Sequence, residues 1–383
     1  MDWSFLIRNK ESINVTTDSR KVVPGCVFVA LKGEHFDGND FVEQARRDGA
    51  EYIISGENAL AELQDLARAW RRELGLPILG ITGTNGKTTT KELCAAVLST
   101  KYKLYYTQGN LNNQLGVPLT LLNITRAHEM AIVEMGASHP GDIKELVEIA
   151  EPNYGLITNV GKAHLQGFGS FEGVMRTKAE LYDFLRAHNG FCFRNTDNPY
   201  LAQMAGDLKT VEYHTGTMPS DTHLVGGYNA ENVSAAICVG RYFGVSEEDA
   251  LAAIRAYIPS NNRSQLMQTE KNIVVVDAYN ANPTSMQAAI NAFKGDCYIL
   301  GAMRELGEYS HLEHQNIVNM LLERKAEKVL LVGEEYKETT APYPVFENVE
   351  ALCEYLQREP LSGYTILLKG SRSNQLEKVI PLL

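Results

Sequence analysis

The densest chemistry in the chain is the stretch GITGTNGKTTTKE, residues 80–92. Gly83 and Gly86 let a backbone fold closely round an anion. Thr84 and Asn85 lie between them, and Lys87, Thr88 and Thr89 follow at once. The expected structure is a triphosphate loop, with backbone N–H groups and a helix N-terminus facing phosphate. Lys87 would reach the outer phosphates and the Thr88 hydroxyl would face Mg2+. The spacing misses Gly-x4-Gly-Lys-Ser/Thr by one place, because residue 81 is Ile and Gly80 comes early. The competing reading is a Gly-Asn turn before a capped helix.

Other residues of useful type stand just past apolar runs that read as strands. Glu134 ends AIVE, His164 follows YGLITNV, and Asp277 ends NIVVVD with Asn280 and Asn282 behind it. Lys369, Ser371 and Arg372 follow YTILL. Ligands of open α/β sheets bind at the carboxyl ends of strands, so these positions can share a site. Glu134 suits Mg2+, which takes oxygen ligands. Asn229 and Asn232 open a helix, where Asn also serves as a cap. Taken alone, Lys178 reads as a solvated helix lysine and Arg263 as a surface arginine.

Positioning these residues requires alternating strands and helices. Up to about residue 75, short strands mix with two helical stretches, and Pro77 opens a new pattern. PILGIT, MAIVEM and YGLITNV alternate with helical KTTTKELCAAVLSTK, GDIKELVEIA and SFEGVMRTKAELYDFLRAH. Such alternation implies a parallel sheet covered on both faces. A polar stretch at about 195–225 reads as irregular, and two further helices follow it. NIVVVDAY, CYILGAM, KVLLVG and YTILLKG then form a self-contained doubly wound unit with three helices. The expected domains are 1–76, 77–262 and 263–383.

Net charge is −11 and pI about 5.4, which excludes a broad basic nucleic-acid surface. The six cysteines are scattered without a CxxC pair and read as reduced. No apolar run approaches a bilayer span, and MDWSFLIRNKES lacks a signal layout. A cytoplasmic protein without membrane insertion is expected.

GTNGKTTT resembles the ATP loop of the Mur ligases, enzymes that build the peptide of bacterial cell-wall precursors. The resemblance continues in order through TTDSRKVVPGCVFVALKGEHFDGNDF, GNLNNQLGVPLTLL, EMGASHPGDI, NVGKAHLQGFGS, GGYNAENVSAAI, VVDAYNANPTSM, LGAMRELGEYS and LKGSRSNQLEKV. YNANP with EMGASHPGDI and KGSRS is similar to the members that add D-alanyl-D-alanine to UDP-N-acetylmuramoyl-tripeptide. The implied fold is α/β in three domains. They are an N-terminal UDP-binding domain, a central P-loop-type parallel-sheet ATPase domain and a C-terminal Rossmann-like doubly wound domain. The implied activity is a ligase using ATP and Mg2+, which turns a carboxylate into an acyl phosphate for attack by an amine. A monomer is expected.

By resemblance, Glu134 and Thr88 hold metal, His164 is a metal ligand or lies in its shell, and Lys178 carries a carbamate. Asn229, Asn232, Asp277, Asn280 and Asn282 would contact the nucleotide, and Arg263 its phosphates. Lys369, Ser371 and Arg372 would face the acyl phosphate or the incoming dipeptide. Thr17, Asp18, Ser19, Arg20, Lys32 and Gly33 would bind the UDP end, and Asn112, Asn113 and Gln114 the muramoyl peptide. The chain departs from the family pattern at Asn39 (often His), Ala179 (usually Gly), Asn262 (usually Gly) and Ala302 (usually Asp). The 195–225 stretch is short for the family, so a hairpin is expected to be missing. The rival readings are a sibling ligase with another amino substrate, such as a folate-glutamate ligase, and a non-catalytic nucleotide-binding module.

Overall fold

A computed structural model describes residues 2–259 and 263–383. Three sheets follow one another along the chain. The first is parallel, with β1 (Val15–Thr16), β2 (Val27–Val29) and β3 (Tyr52–Ile54) in that order. The second holds β4 (Ile78–Thr82), β5 (Leu104–Tyr106), β6 (Met130–Glu134), β7 (Tyr154–Ile157), β8 (Phe191–Asn195) and β9 (Thr210–Tyr213). Its order is β5-β6-β4-β7-β8-β9, and all its pairs are parallel. β4 and β6 are buried at every position, which is why both read as unbroken apolar runs rather than alternating ones.

This order places the site. From β4 the chain first builds the sheet on one side, through β5 and β6, then crosses back to β7 on the other. The crevice above β4 is therefore a topological switch point, where open α/β sheets bind ligands. The loop at 83–86 leaves β4, and Glu134 ends the neighbouring β6.

The third sheet comprises β10 (Gln265–Gln268), β11 (Ile273–Asp277), β12 (Cys297–Gly301), β13 (Lys328–Val332), β14 (Val345–Phe346) and β15 (Thr365–Lys369). Its order is β10-β11-β15-β12-β13-β14, parallel except for the antiparallel edge strand β10. β15 lies between β11 and β12, so Asp277 and Lys369 are register partners at adjoining carboxyl ends.

The first sheet does not have a core of its own size. Trp3, Leu63, Leu66 and Trp70 pack in one apolar cluster with Ile78, Val117, Leu121 and Ile143 of the central region. The helix Ala59–Leu74 buries Ala59, Leu63, Leu66, Ala67 and Trp70 at helical spacing, and it stops at Gly75 with φ 64°. Buried Arg71 fastens the seam by donating to the carbonyls of Leu76, Ala150 and Glu151 and to Asn153 Oδ1.

Two regions differ from the sequence reading. The stretch at 195–225 holds a helix, Pro199–Ala205, and strand β9. Asn198 caps that helix through Tyr200 N–H, with Pro199 in its first turn. Both elements are too short for periodicity to reveal. β10 was also unread: QLMQ is a half-exposed edge strand recognised only through its pairing with β11. No pair in the central sheet is antiparallel among the described residues.

Candidate active site

A cleft of about 640 Å³ separates the central and third sheets. Its walls are residues 84–89, 112–114, 136–138 and Glu134, Asn159, His164, Asn229 and Asn232 on one side. Arg263, Asp277, Tyr279, Asn280, Asn282, Glu305 and Lys369 stand on the other.

The loop after β4 is open to an anion, though not in the way its sequence suggests. The N–H groups of Thr84 and Asn85 donate to Asn159, at 2.9 Å to its carbonyl and 3.0 Å to its Oδ1. Thr158 Oγ1 holds the Asn85 carbonyl at 2.6 Å. The helix Lys87–Leu98 begins directly afterwards. Its first N–H groups, at Lys87, Thr88 and Thr89, have no carbonyl one turn back to reach, and these residues line the cleft. Gly83 (φ 140°) and Gly86 (φ 77°) are both required. A Cβ on Gly83 would strike Thr158 Oγ1, and one on Gly86 would come 2.5 Å from Asn232 Oδ1. Lys87 Nζ turns back onto the carbonyls of Gly83 (2.9 Å) and Thr84 (3.0 Å). Burial pulls its pKa down to about 8, with Glu134 opposing and Arg263 adding to the fall.

Glu134 is buried and ends β6 beside this helix. Its Oε1 accepts from Thr88 Oγ1 at 3.2 Å and Asn112 Nδ2 at 2.9 Å. Its Oε2 accepts no hydrogen bond. A buried carboxylate whose Oε1 stands beside a threonine hydroxyl at the cleft fits a Mg2+ ligand. Among the described residues no three His, Cys, Asp or Glu side chains converge as a metal cluster. A hard cation here would rely on Glu134, Thr88 and ligand oxygens.

His164 and Lys178 gather round Phe168 instead. The Phe168 ring centroid is 6.2 Å from the His164 ring and 5.6 Å from Lys178 Nζ. Lys178 is 2% exposed, and its amine makes no hydrogen bond or ion pair among the described residues. Burial, the largest effect, and the Lys87 charge hold its pKa well below the usual lysine range. His164 has φ 49° and meets the Glu305 carboxylate of the third domain. Burial lowers the His164 pKa while Glu305 opposes. Lys178 is buried with Ala179, where the resemblance expects Gly, next to it in the chain.

Several expected nucleotide contacts have their side chains committed elsewhere. Thr90 Oγ1 donates to Asn232 Oδ1, Asn232 Nδ2 to Asn229 Oδ1, and Asn229 Nδ2 to the Val225 carbonyl. This chain of bonds clamps the helix Asn229–Tyr242 to the phosphate-loop helix. Asn282 caps the helix Pro283–Ala292 and donates to Asn85. Asn280 Oδ1 accepts from Ala281 N–H. Lys369, buried and 2% exposed, pairs with Asp277 at 2.6 Å. Ser371 is buried, and Arg372 stands exposed beside Tyr279, 5.6 Å from its centroid. Arg263 covers the same ring at 3.7 Å. Asn262 lies outside the described residues. Ala302 is buried at the end of β12 with its methyl toward Gly333.

The first-domain candidates do not line this cleft. Asp18 caps the short helix Ser19–Lys21 and holds Arg20 through two bonds of 2.8 Å, and Thr17 precedes it. Lys32 and Gly33 lie in a turn that bridges Lys32 to Asp37. Asn39 ties that turn down, donating to Asp37 Oδ1 and accepting from Gly56 N–H. Asn113 and Gln114 do line the cleft; Asn113 Oδ1 accepts from Gly116 N–H at the start of the helix Gly116–Leu122, and Gln114 donates to Asp142.

Three family profiles match the chain. "Mur ligase family, catalytic domain" covers residues 13–96, "Mur ligase middle domain" 81–215, and "Mur ligase, glutamate ligase domain" 262–372. A UDP-N-acetylmuramoyl-tripeptide–D-alanyl-D-alanine ligase of Bacillus subtilis is 33% identical, over 96% of this chain and 92% of the relative. The chain belongs to the Mur ligase family. The enzyme of the same name from Escherichia coli is 32% identical, over 96% of this chain and 93% of its own. The B. subtilis alignment spans 423 positions, more than the 383 residues here, so that Mur ligase has residues without counterparts in this chain. Among solved structures, the MurF ligase of Thermotoga maritima in complex with ADP superposes with a TM-score of 0.86 at 28% identity. The match covers 98% of both chains. MurF from Acinetobacter baumannii gives 0.84 at 28% identity, over 96% of this chain and 92% of that one.

Sequence reading missed other residues of this Mur ligase site. Asn159 holds the phosphate loop, Glu305 meets His164, and buried Lys91 stands beside Glu134. Only Lys91 left a signal: it lies four residues past Lys87, on the same face of the helix.

Proposed function

We propose that this chain is an ATP-dependent amide ligase joining D-alanyl-D-alanine to UDP-N-acetylmuramoyl-tripeptide in the cytoplasmic synthesis of peptidoglycan precursors. The observation that carries the reading is the cleft itself. A helix N-terminus with unpaired N–H groups faces a third-domain wall bearing Asp277 and Lys369. The division of labour would follow domains 1–76, 77–262 and 263–383, the first taking the UDP end and the third the amine.

The triphosphate would sit on the N–H groups at 87–89, with Lys87 swinging from its loop carbonyls to the outer phosphates. Thr88 and Glu134 would hold Mg2+, which supplies charge neutralisation between phosphate and carboxylate. Lys178 can take up CO2: the neutral amine nitrogen bonds to carbon, a proton leaves to solvent, and an anionic carbamate results. Its desolvated amine, without a hydrogen bond or ion pair among the described residues, supports that reading. His164 would stay near this group. Arg263, unpaired at its buried Nε, is placed to answer developing phosphate charge. The tripeptide carboxylate attacks the γ-phosphorus, ADP leaves, and the dipeptide amine displaces phosphate from the acyl phosphate. Closure of the third domain would keep water from that intermediate.

Phosphate release should require ATP, UDP-N-acetylmuramoyl-tripeptide and D-alanyl-D-alanine together. Release with glutamate and a folate acceptor instead would support a sibling ligase. No release with any amine, despite ATP binding, would support a non-catalytic module.

A further inference from the structure

Both oxygens of Glu134 face one helix. Thr88 and Lys91 are three residues apart on Lys87–Leu98 and so project from the same face. Thr88 Oγ1 reaches Glu134 Oε1 at 3.2 Å, and Lys91 Nζ stands 3.8 Å from Oε2. Lys91 is 0% exposed. Its ammonium donates to the Thr107 carbonyl at 2.7 Å and pairs with Glu92 Oε1 at 3.1 Å. Thr107 returns to the same carboxylate's residue, because Glu134 N–H donates to Thr107 Oγ1 at 2.9 Å. Lys91 does not line the cleft, so it cannot meet nucleotide directly.

Burying an ammonium is costly, and a methionine of similar length would fill this space without that cost. The charge therefore has a use in the interior. Glu134 Oε2 accepts no hydrogen bond, and Lys91 is the cation beside it. Without Lys91, the carboxylate would keep only its Oε1 bonds to Thr88 and Asn112 and could turn about its own axis.

We infer that Lys91 is a positioning residue: it draws Glu134 Oε2 into the protein and so keeps Oε1 turned toward Thr88 and the cleft. This rests on the reading of Glu134 as a Mg2+ ligand. The ammonium acts through the carboxylate, as groups behind a metal ligand commonly do.

The test uses the full chain with ADP bound and Mn2+ as the probe, titrated by electron paramagnetic resonance. Lys91→Met should weaken Mn2+ binding by at least about tenfold, the scale for groups that orient metal ligands. KM for Mg2+ should rise in step, while kcat at saturating Mg2+ falls far less. Lys91→Arg should recover most of the loss. A folded Lys91→Met protein with unchanged or tighter Mn2+ binding would overturn the assignment. If Lys91→Met does not fold, Lys91→Gln, which still donates to the Thr107 carbonyl, is read by the same criterion. Glu134→Gln separates the two claims. If it leaves Mn2+ binding intact, the metal reading itself falls. If it abolishes binding while Lys91→Met does not weaken it, only the role of Lys91 falls.

Discussion

The side-chain amide of Asn282 donates to Asn85 Oδ1 at 2.8 Å, tying a third-domain helix cap to the phosphate loop. The same side chain accepts from Ser285 N–H at 2.9 Å. One residue thus starts the helix Pro283–Ala292 and holds the loop that would carry ATP. Lys162, which pairs with Glu313 at 2.9 Å, braces the same junction.

The two jobs of Asn282 can be separated. Serine can cap a helix but is too short to reach Asn85. Asn282→Ser should keep the melting temperature while raising KM for ATP by about fivefold, the equivalent of one lost hydrogen bond of roughly 1 kcal/mol. Asn282→Ala should also lose about 1 kcal/mol of stability with the cap. Steady-state kinetics and thermal unfolding read the two effects; an unchanged KM in both variants would leave the tie without a role in nucleotide binding.

Lys87→Ala should abolish phosphate release dependent on D-alanyl-D-alanine without unfolding the protein. The wild-type lysine should also leave a pH signature. Its pKa falls from the ordinary 10.5 to about 8 in the folded chain, chiefly through burial. Between those values the unfolded chain binds a proton that the folded chain has released, so this group adds stability as pH rises through that window. Phosphate favours the charged form, so nucleotide binding should take up a proton above pH 8 and weaken with rising pH. Calorimetry at pH 9 in two buffers of different ionisation enthalpy measures the uptake. No proton linkage, or an active Lys87→Ala enzyme, would contradict the loop assignment.

Much of this was legible because strand ends are local features. Apolar runs closing on Glu134, Asp277 and Lys369 announce both the strands and the positions at their carboxyl ends. The switch point then follows from which strands neighbour β4. What was not legible depends on pairing across distance. Nothing around Thr84 and Asn85 says that their N–H groups are taken by Asn159, some 75 residues on. Asn229 and Asn232 look the same whether they face a nucleotide or bond to one another and to Thr90. β10 exists only as the partner of β11, and the spacing that puts Lys91 on the face of Lys87 does not show that it is buried beside Glu134.

Lys178 offers a spectroscopic prediction. Its pKa is held well below the ordinary lysine value, mainly by burial, which favours the neutral amine that reacts with CO2 over the ammonium. With 13C-bicarbonate at pH 7.5, a carbamate carbon signal should appear in the wild type and be absent in Lys178→Ala. That variant should lose activity, and acetate or formate should restore part of it by placing a carboxylate in the vacated space; bicarbonate alone should not. A wild-type spectrum without the signal, together with no rescue, would leave Lys178 a plain buried amine.

His314 should make the interface between the central and third domains sensitive to acid. It is buried, and its Nε2 accepts from Met303 N–H at 3.0 Å while Nδ1 donates to the Ser310 carbonyl at 2.7 Å. The first bond needs the neutral ring, because a protonated Nε2 cannot accept. Burial, the largest influence, lowers its pKa from the ordinary 6.5. As pH falls below 6.5 the unfolded chain takes up a proton that the folded chain resists, so stability is lost with acidification. The bond at risk anchors the turn carrying Glu305, whose carbonyl accepts from Gln166 N–H at 3.2 Å and whose carboxylate meets His164. Acid should therefore loosen the contact between the two domains as well as the local fold. In His314→Gln the side-chain oxygen can still accept from Met303 without titrating. Unfolding free energy measured by denaturant between pH 7.5 and 5.5 should fall more steeply in the wild type than in this variant. Parallel slopes would mean that other groups, carboxylates foremost, set the acid sensitivity and that His314 is protected throughout.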